Sequence, residues 1–264
     1  LSTIRSQDDV PFHSAPLIFI STILTHFAGG SAGREGAAIQ LGGSIGNQLG
    51  SWLPLDEEDR HVMVMCGMSA AFAALFGTPM AAAVFSMEVV SVGIMYYAAL
   101  VPCVISSIIA SEFAANFGIH PESFHVVDIP DLTVETGLKM VLVAVACAAI
   151  SIIFCMTLQG ISKLYTKYFK NPYIRIAAAS AIIIAITLLL RTTDYMGAGN
   201  NLIELAIEEG QTRPLDFFWK ILLTALTMRA GFRGGEIVPS FCIGATFGCL
   251  MGHLIGLSPS ICAA

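Results

Sequence analysis

The stretch Gly29-Gly30-Ser31-Ala32-Gly33-Arg34-Glu35-Gly36 sets one arginine and one glutamate inside a long uncharged tract. No Asp, Glu, Lys or Arg occurs from Pro16 to Gly33, and none from Ala37 to Leu55. A second stretch, Gly234-Gly235-Glu236-Ile237-Val238-Pro239, has the same character, and no such charge follows Glu236 up to Ala264. A carboxylate at membrane depth is costly and by default marks a transport or proton path. Glycines beside it favour a broken helix, whose free backbone N–H groups and positive dipole end suit an anion. The two acids therefore predict an anion site with protonatable gates.

Composition supports a membrane setting. The chain of 264 residues is 55% hydrophobic and 12% charged, with a mean hydropathy of +0.76, whereas soluble domains carry roughly 25% charged residues. With 13 basic residues and no basic patch, nothing supports nucleic-acid binding. The seven cysteines form no CxxC pair and read as small apolar filler. The six histidines show no ligand spacing, and no cofactor or metal is expected. The chain begins at Leu1 and ends within an uncharged run, so it is expected to be the middle of a longer membrane protein, truncated at both ends.

Residues 1–15 are polar and predict a loop. Pro16 to Gly29 reads as an apolar helix shorter than the ~20 residues of a full span. A second helix is expected from about Gly36 to Leu53. Asp56, Glu57, Glu58 and Asp59 fit a water-facing turn and helix start better than a cation site. Gly77-Thr78-Pro79 divides the next uncharged run into two helices. Val89 to Ser111 is long enough to span, and residues 118–132 are a polar connector. Val141 to Leu158 is the core of a span reaching Phe169. Ile176 to Leu190 follows, with Lys163, Lys167, Lys170 and Arg175 marking a basic loop between them. A loop (Arg191 to Asn201) and a short amphipathic helix (Asn201 to Glu209) precede a helix that begins at Pro214 and ends at Met228-Arg229-Ala230-Gly231. The last helix runs from about Pro239 to Leu257. Short, interrupted helices of this kind belong to transporters built with half-membrane segments.

An internal similarity points the same way. Gly42-Gly43-Ser44-Ile45-Gly46 resembles Gly244-Ala245-Thr246-Phe247-Gly248, and in that register Gly33 superposes on Gly235. The bland alternative is a pair of unrelated GxxxG packing faces.

At these residues the chain resembles the CLC family of chloride channels and anion/proton antiporters. Gly33-Arg34-Glu35-Gly36 matches the family's GREG signature, with Ala38-Ile39-Gln40 following. Phe76 to Glu88 is similar to its FNAPLAG…E segment, and Gly235-Glu236-Ile237-Val238-Pro239 falls where many members have GIFxP. Glu236 in its Gly-Gly-Glu context, followed by Phe-x-Ile-Gly-Ala-Thr-x-Gly, is most like the CLC-F branch, which exports fluoride in exchange for protons. Val89, where many chloride/proton antiporters have an inner proton-relay acid, agrees with that branch. Val238, where a threonine is expected, does not. The resemblance implies an all-α membrane domain, an inverted-repeat bundle of tilted and broken helices. About 1–117 would end the first half-repeat and about 133–264 would form most of the second. The first anion-binding loop and the pore-lining tyrosine of the family fall outside this chain.

The resemblance further implies that Glu35 is a gate that mimics the anion when ionised and swings away carrying a proton when neutral. Glu236 would be a second coupling residue. Backbone around Gly33, Arg34, Gly36, Ala37, Gly235, Ile237 and Val238 would bind the anion, and Arg34 would brace its loop or pair with an acid. Either glutamate could instead be a plain acid at a helix start, a closer contest for Glu236, and Glu88 reads as structural. The implied partners are a halide (fluoride or chloride), protons, the lipid bilayer and a second copy through Met80 to Phe117. The implied place is a bacterial plasma (inner) membrane, crossed several times. The alternatives are a chloride channel or chloride/proton exchanger, an intramembrane enzyme, for which no nucleophile–base pair is evident, and a non-transporting scaffold.

Overall fold

The computed structural model describes residues 14–90, 95–119, 121, 123–131 and 133–264. The loop expected over residues 1–15 lies outside these except for Ser14 and Ala15, which already belong to a helix. The described residues divide into two compact units. One holds those of Leu1–Thr22 and Glu35–Ser123, the other those of Ile23–Arg34 and Phe124–Ala264.

The first helix, α1 (Ser14–Phe27), has 14 residues. At about 1.5 Å per residue it is far shorter than the roughly 30 Å hydrocarbon core. In the first unit α2 (Glu35–Trp52) packs on α3 (Glu57–Phe76). The contact is close because glycines meet backbone. A Cβ added at Gly42 would collide with the Gly67 carbonyl, and one at Gly46 with the Met63 carbonyl. Asp56 caps α3, its side chain accepting the Asp59 N–H at 2.8 Å, so the acidic run is indeed a helix start. Gly77 ends α3 at φ 64° and donates its N–H to Ala73 O. Pro79 then opens α4 (Pro79–Val90), so the Gly77-Thr78-Pro79 punctuation acts as expected.

The expected span from Val89 to Ser111 is corrected. α4 is described to Val90, residues 95 and 96 are not helical, and a 3-10 turn (Tyr97–Ala99) leads into α5 (Leu100–Asn116). Pro102 lacks an N–H, which suits the first turn of α5 rather than the interior of a helix running on from Val89. The core joining α3, α4 and α5 is Met65, Ala83, Met87, Ala99 and Cys103. An apolar cavity of about 570 Å³ lies among α2, α3 and α5, and its lining includes no Asp, Glu, Lys, Arg or His.

The second unit contains the end of α1, the glycine break after it, and six further helices: α6 (Val134–Tyr168), α7 (Pro172–Leu190), α8 (Asn200–Glu208), α9 (Asp216–Ala230), α10 (Ile237–Ile255) and α11 (Pro259–Ala263). The 35 residues of α6 exceed what a span needs. Leu138, Val145, Leu188 and Leu189, on α6 and α7, are more than 60% exposed, as lipid-facing side chains would be. Asn171 caps α7, so the helix begins ahead of Ile176 and takes in Arg175. That arginine does not mark the basic loop: its Nε donates to Ala230 O at 2.9 Å, at the end of α9. Phe154, Leu158, Ile221, Ala225 and Ile243 form the core joining α6, α9 and α10. Among the described residues, four helical stretches are long and apolar enough to cross a membrane: Tyr97–Asn116, Val134–Tyr168, Pro172–Leu190 and Ile237–Ile255.

Candidate functional site

The first glycine break starts where α1 stops. Gly29 has φ +76°, a left-handed backbone that favours glycine, and Gly30 N–H donates to Thr25 O at 2.9 Å to close the helix end. Ser31, Ala32 and Gly33 then run on as buried backbone. Gly33 N–H donates to Gly235 O at 2.8 Å, and Gly235 N–H returns a bond to Gly33 O at 2.6 Å. This isolated antiparallel bridge joins the two glycine breaks. Close approach explains the neighbouring glycine too, because a Cβ on Gly234 would lie 2.6 Å from the Ala32 Cβ.

Each predicted site residue can be placed within its own unit. Glu35 is the first residue of α2 and only 5% exposed. Gly36 and Ala37 complete the first turn, half-buried and buried. Their N–H groups are among those that have no intrahelical partner by position. Arg34, immediately before, is exposed. In the second unit Gly33 and Gly235 are paired and buried. Glu236 occupies the N-cap position of α10, but its side chain makes no capping bond. It pairs instead with Arg229 Nη2 at 3.0 Å, across the break from the end of α9. Ile237 and Val238 form the first turn of α10, half-buried and buried, ahead of its first closing bond, Ser240 N–H to Glu236 O at 3.0 Å. Glu88 is exposed near the end of α4.

Sequence inspection missed a polar stripe on α9. Asp216, Lys220, Thr224 and Thr227 recur at helical spacing on one face, and each is at most 1% exposed. Its signal was present: four polar side chains at intervals of four, four and three within a membrane-protein helix. Thr227 Oγ1 accepts the Ser31 N–H at 3.1 Å, and the Ser31 and Thr224 hydroxyls bond at 3.0 Å. Asp216 accepts the Tyr195 hydroxyl at 2.7 Å and the Arg213 N–H at 3.0 Å. Burial, and then the Asp216 carboxylate, push the Tyr195 phenol above its ordinary pKa. The neutral hydroxyl therefore stays a donor. Among the described residues no group of three His, Cys, Asp or Glu side chains could hold a metal.

Helices that stop short inside an apolar protein, glycine breaks that pair with one another, and acids set at the helix starts define a class: membrane proteins built from broken helices. The sequence matches the voltage gated chloride channel family over residues 2–264, and the chain belongs to that family. It is 31% identical over 254 residues to a chloride/fluoride channel protein of Pseudomonas syringae pv. tomato, covering 94% of this chain and 56% of that protein. It is 26% identical to an H(+)/Cl(-) exchange transporter of Vibrio cholerae, covering 83% of this chain and 48% of that one. Among solved structures, the crystal structure of a CLC-type fluoride/proton antiporter superposes with a TM-score of 0.91 at 35% identity, covering 97% of this chain and 64% of that one. A slow cyanobacterial Cl-/H+ antiporter shares the fold, with a TM-score of 0.78 at 19% identity. The all-α CLC-type fold expected from the motifs is thus the fold found. The chain spans about half to two-thirds of the length of these relatives.

Proposed function

We propose that this chain forms part of a fluoride/proton antiporter of a bacterial plasma membrane, with Glu35 as its gate. The observation that carries the proposal is the burial of Glu35, at 5% exposure, on the first residue of a helix entered through a glycine break. The positive end of a helix dipole favours a carboxylate by up to about 2 kcal/mol. Burial opposes ionisation by several kcal/mol. A gate exchanging a proton for an anion uses both the ionised and the neutral form, and the two effects act on those forms in opposite directions. Ionised, the carboxylate occupies the anion's place at the helix start. Neutral, it leaves that place and takes a proton with it.

Backbone N–H groups around Gly33, Arg34, Gly36 and Ala37, and around Gly235, Ile237 and Val238, bind the anion without a cation that would trap it. Glu236 is the second coupling residue. Residues about 1–117 close one half-repeat and about 133–264 make most of the other, with a second copy meeting the face from Met80 to Phe117. Fluoride is favoured over chloride by Glu236 in its Gly-Gly-Glu setting and by the 35% identity to a protein described as a fluoride/proton antiporter. Val238 favours chloride as the second reading, because its side chain offers no hydroxyl to the ion.

The test is reconstitution in liposomes with fluoride, chloride and pH probes. Fluoride efflux with opposite proton movement, little chloride flux, and anion movement without proton movement in Glu35→Gln are expected. Proton coupling intact in Glu35→Gln removes the gate. Equal chloride and fluoride flux moves the protein to the second reading.

A further inference from the structure

Lys220 is wholly buried, yet its contacts lead to the first glycine break. Nζ donates to Gly197 O at 2.8 Å and to Tyr195 O at 3.2 Å, both in the loop between α7 and α8. One turn earlier on α9, Asp216 holds the same loop through the Tyr195 hydroxyl. The loop passes the hold onward, because Gly197 N–H donates to Gly30 O at 2.9 Å. One residue beyond Gly30, Ser31 returns to α9 through Thr224 and Thr227. Lys220, Gly197, Gly30, Ser31 and Thr224 therefore close a ring, with one turn of α9 as its last side. Gly33, two residues further along, is bonded to Gly235.

We infer that Lys220 is a positioning residue for the glycine break Gly29–Gly33. Packing does not need a charge at this place. A buried ammonium carries a desolvation penalty that an apolar side chain of similar length avoids. What the ammonium supplies is several N–H donors on one atom, enough to hold two carbonyls of a loop that lacks regular structure. Left without it, the buried Tyr195 carbonyl and the part-buried Gly197 carbonyl would lose that donor, and the loop would shift. Gly30 would then lose the N–H that fixes its carbonyl. Thr25 and Thr227 crowd the same spot, with the Thr227 Cγ2 at 3.1 Å from a Cβ placed on Gly30. The break would have little room to settle elsewhere in an ordered way, so it would become mobile.

Transport enters only through the proposed function, which makes this break part of the anion site. The experiment keeps the two apart by reading exchange and flux in the same samples. Hydrogen exchange of the Ser31–Arg34 amides is compared in the reconstituted wild-type protein, Lys220→Met and Lys220→Gln, together with fluoride flux against concentration. Lys220→Met should speed exchange at Ser31–Arg34 by about tenfold, the equivalent of one lost hydrogen bond. Lys220→Gln, which keeps a donor, should fall between the two. Faster exchange confined to Tyr195–Gly199, with Ser31–Arg34 unchanged, overturns the inference and leaves Lys220 a loop anchor. If neither variant folds, Thr224→Val opens the ring at Ser31 and should give the same signature, and unchanged exchange there also overturns it. A raised KM for fluoride with a smaller change in maximal rate is expected if the break holds the anion. Faster exchange with KM unaltered upholds the positioning role and removes the break from the anion site.

Discussion

Gly33 and Gly235 exchange backbone hydrogen bonds in both directions, and they are the same two glycines that the internal repeat places in register. Each is followed within two residues by an acid and a helix start. The pairing needs close backbone approach, which Gly234 makes possible. A Cβ there would sit 2.6 Å from Ala32 Cβ and 3.1 Å from Gly33 O.

Gly234→Ala should therefore push the two breaks apart. The cost of inserting a methyl into a tight contact is about 1–3 kcal/mol. A lower thermal midpoint is expected in detergent, with faster exchange of the Gly33 and Gly235 amides. A midpoint equal to wild type would show that the contact yields freely.

The second glycine of each GxxxG pair serves the same kind of contact. A Cβ on Gly46 would collide with the Met63 carbonyl of α3, and one on Gly248 with the Cys262 carbonyl of α11. Gly244, by contrast, has open space around its Cβ position. Gly46→Ala and Gly248→Ala should each destabilise by about 1–3 kcal/mol, while Gly244→Ala should be neutral or slightly stabilising through helix propensity. Thermal unfolding of the three variants side by side distinguishes them.

Glycine, proline and charge made most helix ends readable in advance. Gly77 and Pro79 bound their helices as their chemistry requires, and Glu35 opens α2 within one residue of the expected start. The boundary between α4 and α5 was not readable from apolar content, because hydrophobicity alone does not separate one long span from two shorter elements. The stripe on α9 was hidden for a different reason. Asp216, Lys220, Thr224 and Thr227 look like the wet face of an amphipathic helix, and only folding brings Ser31 and Gly197 against them from distant parts of the chain. Likewise, Arg229 and Glu236 lie seven residues apart across a helix break, a separation at which no helical rule predicts a pair.

Asp56 offers a test of the acidic run as a helix start. Its carboxylate accepts the Asp59 N–H at 2.8 Å. Asp56→Ala should cost about 1 kcal/mol, the usual loss of an N-cap, and Asp56→Ser should restore most of it. Thermal or denaturant midpoints check both. Equal loss in the two variants would indicate that charge, rather than the cap, matters there.

Arg229 and Glu236 permit a sharper separation of structure from function. Their side chains are 37% and 40% exposed in this chain, so the ion pair at 3.0 Å should contribute no more than about 1 kcal/mol to stability. Arg229→Gln should thus leave the thermal midpoint nearly unchanged. If Glu236 carries protons, the loss of its cation should nevertheless alter the ratio of protons to anions moved, as Glu236→Gln should. The two changes act on one pair, so their combination should be less than additive. A double-mutant cycle on the coupling ratio, run beside one on stability, supplies the comparison. Non-additivity in coupling with near-zero coupling energy in stability would place the pair in the transport cycle. Full coupling in all three variants would leave Arg229 and Glu236 as a clasp between α9 and α10 and nothing more.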